Sequence, residues 1–348
     1  MSHRTIITAL LALVALALPA AAQAKKPSHS GAVVFSKATE VKEGEFEGGL
    51  FAVRYGHLNQ LTENPADVEP DFSADGRSLV FARNGDIFTM RPDGSGQRQL
   101  TSGPEIDSAP KIAPNGRYLV FERRAALPGA QRDLYTISLS GGQPHPLATG
   151  SGDEREATFS PDGRAIAYVR QVMNSAEAVA DDIFAVNPSG SRTYHLTKTP
   201  SLDEWAPRYF AGGIVFSRGN DSDTPAAYAD IYTMKRNGQK VKPQVRGVGS
   251  AFVEDVSPDG HTLLFRRSEG LWMKRIGKGG ARKLTDLPDN AKTNSVISAD
   301  GTRVAAFIAN GETEQLMSIN LKTREATELA DSFEAETGSI GPVMTWQP

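Results

Sequence analysis

Short apolar runs, each opened by a polar turn and closed by an aromatic residue, recur along the chain. They read Phe72 to Phe81 (FSADGRSLVF), Ile112 to Phe121 (IAPNGRYLVF), Phe159 to Tyr168 (FSPDGRAIAY) and Val256 to Phe265 (VSPDGHTLLF). Two worn copies are Tyr209 to Phe216 (YFAGGIVF) and Ile297 to Ala306 (ISADGTRVAA). Apolar runs of this length between Gly- and Pro-containing turns predict strands, and the turn between them predicts a hairpin. Pro fixes φ at the first central turn position, Asp bonds its own backbone, and Gly takes the left-handed position that closes the turn. Changing Gly163 to Ala is expected to cost about 1 kcal/mol, because φ > 0 penalises a Cβ.

A second run follows each hairpin and predicts a third strand: Asp86-Ile87-Phe88-Thr89-Met90, Asp133-Leu134-Tyr135-Thr136-Ile137, Asp182-Ile183-Phe184-Ala185-Val186 and Asp230-Ile231-Tyr232-Thr233-Met234. Weaker versions at Leu50-Phe51-Ala52-Val53, Leu271-Trp272-Met273 and Leu316-Met317-Ser318-Ile319 bring the number of third strands to seven. In most units a fourth strand ends in Leu-Thr, as at Leu61-Thr62, Leu100-Thr101, Leu196-Thr197 and Leu284-Thr285. The turn glycines Gly76, Gly116 and Gly163, and again Gly260 and Gly301, recur at intervals of roughly 40–47 residues, the period of propeller blades. The predicted fold is therefore all-β, a seven-bladed β-propeller, with six blades as the alternative because the unit from Asp286 to Asp331 matches weakly. The first unit starts at its second strand, Ala32-Val33-Val34-Phe35, and the last residues, Val343-Met344-Thr345-Trp346-Gln347-Pro348, look like an innermost strand without its turn. The C-terminal strand is expected to join the N-terminal blade and close the ring, leaving no open sheet edge.

The SPDGR hairpin, the D-I-[FY]-x-M strand and the terminal Leu-Thr resemble the WD-like propeller repeats (PD-repeats) of the TolB-type family, from about Ala32 to the end of the chain. TolB proper carries a preceding α/β domain, which this chain is expected to lack, and a ring of six blades. The resemblance implies an exported propeller that works by binding.

His3 and Arg4, an apolar stretch from Ile6 to Leu18, Pro19, and Ala22-Gln23-Ala24 before Lys25-Lys26 read as a secretory signal peptide with an A-x-A cleavage site. Residues 1–24 are thus expected to be removed, and residues 25–348 to form a single propeller domain, secreted or periplasmic, with no membrane span. With 0 cysteines, disulfides and thiol chemistry are excluded and no lipoprotein signal is present, so stability must come from buried core. A net charge of −3 without a basic stripe gives no case for nucleic acid. The 33 Gly and 21 Pro fit many short strands and turns.

Two rows of charge follow the repeat. Asp67, Asp107, Glu154 and Glu204 stand five residues before the hairpin phrase, and Lys37, Arg83, Arg123, Arg170, Arg218 and Arg267 two residues after its closing aromatic. Register makes the rows cross-strand neighbours, so they are expected to pair, each exposed pair contributing ~0–1 kcal/mol. Asp86, Asp133, Asp182 and Asp230 recur once per blade and are expected to make strand-entry hydrogen bonds. Several loops between second and third strands are long, at Ser36 to Gly48, Glu122 to Arg132, Val169 to Asp181 and Ser217 to Ala229, and raise a wall over blades three to five.

Residues that break the repeat are the candidate ligand-binding set: Glu156, Asp203, Trp205, Glu254 and Asp255, at or beside the entrances of innermost strands. They are expected to give the channel mouth an acidic lining with one aromatic platform, suited to a cation or a basic peptide; solvated loop charge with a packed Trp is the alternative. No cofactor is implied, although Asn220-Asp221-Ser222-Asp223 offers oxygen ligands for calcium without the spacing of a calcium loop. There is no G-x-S-x-G elbow, no thiol and no H-E-x-x-H pair, and His57, His145 and His195 fall toward the blade rim. The leading expectation is a monomeric binding module for a protein, peptide or glycan. The alternative is a propeller enzyme, a hydrolase or lyase acting on extracellular carbohydrate or peptide, with Glu156 and Glu254 as acid and base.

Overall fold

The same few hydrogen bonds close each inner hairpin. In the Ser160-Pro161-Asp162-Gly163 turn the Gly163 amide donates to the Ser160 carbonyl (2.8 Å), the Ala165 amide to Ser160 Oγ (2.9 Å), and Ser160 Oγ to Asp162 Oδ1 (2.7 Å). Ser73, Ser257 and Ser298 do likewise in their turns. Gly76, Gly116, Gly163, Gly260 and Gly301 all hold φ between 65° and 67°, the left-handed region that the turn demands.

The computed structural model describes residues 31–54, 57–173, 179–199, 202–220, 228–247, 249–288, 292–309, 313–334 and 344–347. They form seven four-stranded antiparallel sheets and no helix, arranged as a seven-bladed β-propeller. Blades 2 to 7 are simple meanders whose innermost strands are Asp67–Phe72, Ile106–Ile112, Glu154–Phe159, Asp203–Phe210, Ala251–Val256 and Lys292–Ile297. In blade 1 that place is taken by Met344–Trp346, which pairs antiparallel with Val33–Lys42 in the register Val33↔Trp346, Val34↔Thr345, Phe35↔Met344. The ring closes as the end sequences imply, and the seventh unit is a full blade. Residues 1–24, expected from the sequence to be a signal peptide, and Asp221 to Asp223 of the candidate calcium run lie outside the described residues.

The core sits between blades. Phe35, Phe81, Phe121, Tyr168, Phe216 and Phe265, the aromatics that close the second strands, are fully buried. Each stacks on a third-strand aromatic of its own blade, for example Phe81 on Phe88 with ring centroids 5.7 Å apart. The Leu-Thr ends have a structural use as well: the hydroxyls of Thr62, Thr101 and Thr197 accept the third-strand amides of Leu50, Ile87 and Ile183 at 2.8–2.9 Å.

Two expectations need correction. The charged rows do pair, as Asp67–Arg83, Asp107–Arg123, Glu154–Arg170 and Glu204–Arg218 at 2.5–2.7 Å, but the four carboxylates are no more than 2% exposed. Each guanidinium also lies over both stacked aromatics of its blade, 4.7–5.5 Å from the ring centroids. These are buried carboxylate–arginine–aromatic stacks, and the exposed-pair energy does not apply. Two of the long second-to-third-strand loops, Ser36 to Gly48 and Val169 to Asp181, are largely strand: Val33–Lys42 pairs with Glu45–Arg54, and Ile166–Met173 with Val179–Val186, whereas residues 125–131 in blade 3 lie outside the strands. Extended hairpin arms satisfy their backbone polar groups as loops cannot.

Candidate functional site

One residue before each hairpin phrase, every innermost strand turns a side chain to the propeller axis. In blade order these are Thr345, Asp71, Lys111, Thr158, Arg208, Asp255 and Val296, paired across to Val34, Val80, Val120, Ala167, Val215, Leu264 and Ala305. All seven line one cavity of about 480 Å³, which is also walled by Glu254, Thr293, Asn294 and Ser295 from blades 6 and 7. A repeated backbone position thus carries two carboxylates, two cations, two hydroxyls and one apolar residue, a mixed-charge ring.

The ring is partly self-satisfied. Asp71 Oδ2 accepts the Ile112 amide (2.8 Å) and its Oδ1 the Lys111 ammonium (3.3 Å). Asp255 accepts the amides of Ile297 and Val256, both at 2.8 Å. Burial raises the pKa of Asp255; those two amides, and then the charges of Arg208 and Lys111, pull it back. Both cations therefore lie close enough to act on one carboxylate across the channel. Arg208 donates from Nη1 to the Pro207 carbonyl (3.0 Å) and makes no ion pair with a described residue. Ser295 Oγ is buried in the cavity wall without a hydrogen-bond partner among the described residues. Glu254, held by Arg266 Nε at 3.3 Å and Thr293 Oγ1 at 3.1 Å, is pushed by burial up to about 7, so near neutrality it is divided between acid and carboxylate.

Of the five residues singled out in the sequence, Glu254 and Asp255 line this cavity and the other three do not. Glu156 sits at φ +57° in a strand bulge, and its Oε2 accepts the Ala206 amide of the next blade at 2.6 Å. Asp203 Oδ1 accepts the Asp181 amide at 2.9 Å. Both belong to a charged seam over blades 3 to 5, in which Arg132 pairs with Asp153 and Glu122, and Arg155 with Asp181. Trp205 is part-buried with its ring 6.2 Å from that of Phe252, over which Arg266 also lies at 4.6 Å. An aromatic platform thus stands beside the Arg266–Glu254 pair, outside the cavity itself.

Sequence reasoning missed Asp71, Lys111, Thr158 and Arg208. The signal was available: aligning the repeats on their turn glycine places these residues in one column, the column in which Asp255 also stands. It also missed Glu122, buried in the second strand of blade 3, which accepts the Glu156 amide at 2.8 Å. Burial is the main cause that pushes Glu122 up to about 7. The repeated third-strand aspartates do bond near the fourth strand: Asp182 meets His195 Nε2 at 2.6 Å, and Asp86 accepts Gln99 Nε2 at 2.9 Å. Among the described residues, no group of three or more His, Cys, Asp or Glu is placed to hold a metal ion, and no helix is long and apolar enough to cross a membrane.

No family model matches the chain. Two curated proteins do, each called Tol-Pal system protein TolB. That of Pseudomonas aeruginosa is 30% identical over 100 residues, covering 27% of this chain and 22% of the relative; that of Gluconobacter oxydans is 36% identical over 94 residues, covering 24% and 20%. The matched stretch therefore spans about a fifth of the length of these relatives. Among solved structures, TolB from Acinetobacter baumannii aligns with TM-score 0.54 at 15% identity, over 90% of this chain and 82% of that one. An oligogalacturonate lyase in complex with manganese gives 0.61 at 13% identity, covering 86% and 84%. The propeller domain of the Trilobed protease from Pyrococcus furiosus gives 0.62 at 10% identity, covering 86% and 94%. Identities this low establish the fold and not the ligand. The repeat motifs, the seven closed blades and these matches together make the fold a β-propeller whose repeats are similar to those of TolB.

Proposed function

We propose that the chain is an exported binding module, residues 25–348 forming one propeller domain after a signal peptide ending at Ala24, and that its channel receives a polar peptide segment of a protein partner. The carrying observation is the ring Thr345, Asp71, Lys111, Thr158, Arg208, Asp255 and Val296 around one cavity. Packing asks equivalent positions in equivalent blades to be alike, whereas recognition asks them to differ. Arg208 and Lys111 are placed to take an acidic group, and Glu254 and Asp255, on the wall opposite in charge, an amine or ammonium. A peptide offers both within a few residues. The part-buried Trp205 and Phe252 add a stacking surface beside the cavity. The sequence-based expectation of a purely acidic lining gives way here to a mixed one, which favours a segment bearing both charges over a simply basic one.

A carboxyl near neutrality in a cavity also favours a second reading, acid–base catalysis by Glu254. Glu156, its partner in the sequence-based pairing, is committed to the Ala206 amide and does not line the cavity. This reading therefore needs a different second group.

The test is a thermal-shift screen of the purified chain against Lys-Gly-Glu, Lys-Gly-Lys and Glu-Gly-Glu tripeptides, neutral and uronate oligosaccharides, and divalent metals. The mixed-charge peptide is expected to raise the melting temperature by about 1–3 °C at saturating concentration, and Arg208→Gln to abolish the rise. Stabilisation by oligosaccharides alone would overturn the peptide reading.

A further inference from the structure

The propeller contains its own control for a missing group. In blades 2 to 5 the arginine after the closing aromatic is held by a buried carboxylate at the entrance of the innermost strand: Arg83 by Asp67, Arg123 by Asp107, Arg170 by Glu154 and Arg218 by Glu204, with Nε-to-oxygen distances of 2.5–2.7 Å. In blade 6 the arginine remains, as Arg267, and so does the aromatic pair beneath it, Phe265 and Trp272. The carboxylate does not: its register partner is Ala251, which is 1% exposed.

The consequences are local and specific. The Arg267 side chain makes no hydrogen bond or ion pair with any described residue, and its Nε is buried without an acceptor. Trp272 Nε1, in the same stack, is likewise buried without one. The guanidinium stands farther from its rings, 5.9 and 5.5 Å, than its four counterparts do, as a side chain not drawn down by a partner would. Two buried N–H donors left unpaired in one place are costly, because each has given up water without gaining an acceptor. Both are donors only, so the group that satisfies them must be an acceptor. The four intact blades define its chemistry as a carboxylate meeting Nε.

Access is from the face where innermost strands begin. Arg267 is itself part-exposed; Ser268 and Glu269, on the shortest kind of second-to-third-strand turn in the ring, are exposed, as is Gly249 next to them before the innermost strand. The nearest anionic side chain on that turn, Glu269, accepts Ser268 Oγ and forms no pair with Arg267. Lys283, with its Nζ 5.3 Å from the Trp272 ring on the same blade, is paired with Asp286 at 2.8 Å and brings no net charge to the site.

We propose that the Arg267–Trp272 stack of blade 6 is a carboxylate-binding site, in which a ligand's carboxylate takes the place that Asp67, Asp107, Glu154 and Glu204 occupy in the other blades. The site is separate from the channel and stands or falls independently of the channel's ligand. The carboxylate comes either from a small free acid or from an acidic side chain of a bound peptide; the chemistry is the same.

The experiment observes the Arg267 Nε–H by ¹⁵N–¹H correlation, assigned by its loss in Arg267→Lys, during titration at constant ionic strength with formate, with acetyl-Gly-Glu-Gly-amide, and with its Gln counterpart. A saturable shift is expected with formate in the wild-type chain and its loss in Ala251→Asp, which restores the internal pair and is also expected to raise the melting temperature. A shift with the Glu peptide but not the Gln peptide assigns the site to acidic side chains; a shift with formate alone assigns it to a free acid. No saturable shift with either, or the same shift in Ala251→Asp, would overturn the proposal.

Discussion

The Glu156 carboxylate accepts the backbone amide of Ala206 at 2.6 Å, from one blade to the next. It is one of a series: Glu69 Oε2 accepts the Ala109 amide, Glu122 the Glu156 amide and Ser217 Oγ the Val253 amide, at 2.5–3.0 Å. All four amides lie three residues before a hairpin phrase. Where that position is itself Glu, as at Glu69 and Glu156, its carboxylate staples the next blade; where it is Ala, as at Ala109 and Ala206, the second-strand residue after the aromatic does so. Bulges in the innermost strands accompany these contacts, with φ between 49° and 57° at the equivalent positions Glu69, Ala109, Glu156 and Ala206.

Replacing Glu156 by Ala is therefore expected to destabilise the fold by about 1–3 kcal/mol, the cost of a part-buried amide left without its acceptor. Chemical denaturation measures it. Gln, which keeps an acceptor at the same reach, should recover most of the loss.

The buried stacks predict a different asymmetry. Arg123→Met alone leaves Asp107 buried and uncompensated and is expected to cost about 3–5 kcal/mol, whereas Arg123→Met with Asp107→Ala should cost far less. A double-mutant cycle read by denaturant midpoint checks this. Equal losses in the single and double variants would show that packing over Phe121 and Tyr135, and not charge, holds the stack.

Ring closure rests on a short strand with one well-buried anchor. Met344 is 4% exposed and packs with Phe35, Val53, Phe307 and Leu316. Met344→Ala is expected to cost about 2–5 kcal/mol, and removal of residues 344–348 to open the ring, exposing the edge of Val33–Lys42 and promoting self-association. Light scattering during a thermal ramp would record both effects.

Stability should also depend on pH through the buried carboxyls. Burial places Glu122 and Glu254 at about 7, above their ordinary 4.5, so between those values the folded chain binds more protons than the unfolded one. Their contribution to stability rises as pH falls from 7 toward 4.5, and the cost of their burial is full above 7. Glu254→Gln and Glu122→Gln are each expected to flatten the pH dependence across that window, by up to about 3 kcal/mol. Denaturation series at pH 8, 6.5 and 5 measure the slope.

The fold was legible because its signals are repeated. The Ser-x-Asp-Gly turns, the third-strand phrases and the split first blade fix strand order, blade count and closure, and the charged rows pair in the register that the hairpins impose. The site was less legible for the same reason. Glu156 and Asp203 stand out in the sequence, yet their distinctness serves contacts between blades, which depend on bulges that no residue type announces. Arg208 and Lys111 sit inconspicuously before ordinary hairpins, and only the ring geometry brings them to one cavity. The burial of Asp67 and its counterparts was hidden too, because an Asp–Arg spacing reads the same on a surface as in a stack.

The central claim is that the unlike residues of the axial ring, and not the repeated scaffold, determine what the protein binds. Calorimetric titration of Lys-Gly-Glu into the wild type, Arg208→Gln, Asp71→Asn and Ala251→Asp tests it most directly. Arg208→Gln is expected to weaken binding at the channel at least about tenfold, the effect of one lost charged hydrogen bond worth about 1.5–3 kcal/mol, while Ala251→Asp, which fills only the separate Arg267 site, leaves the channel affinity unchanged. Affinity that is the same in the wild type and in both ring variants would contradict the account.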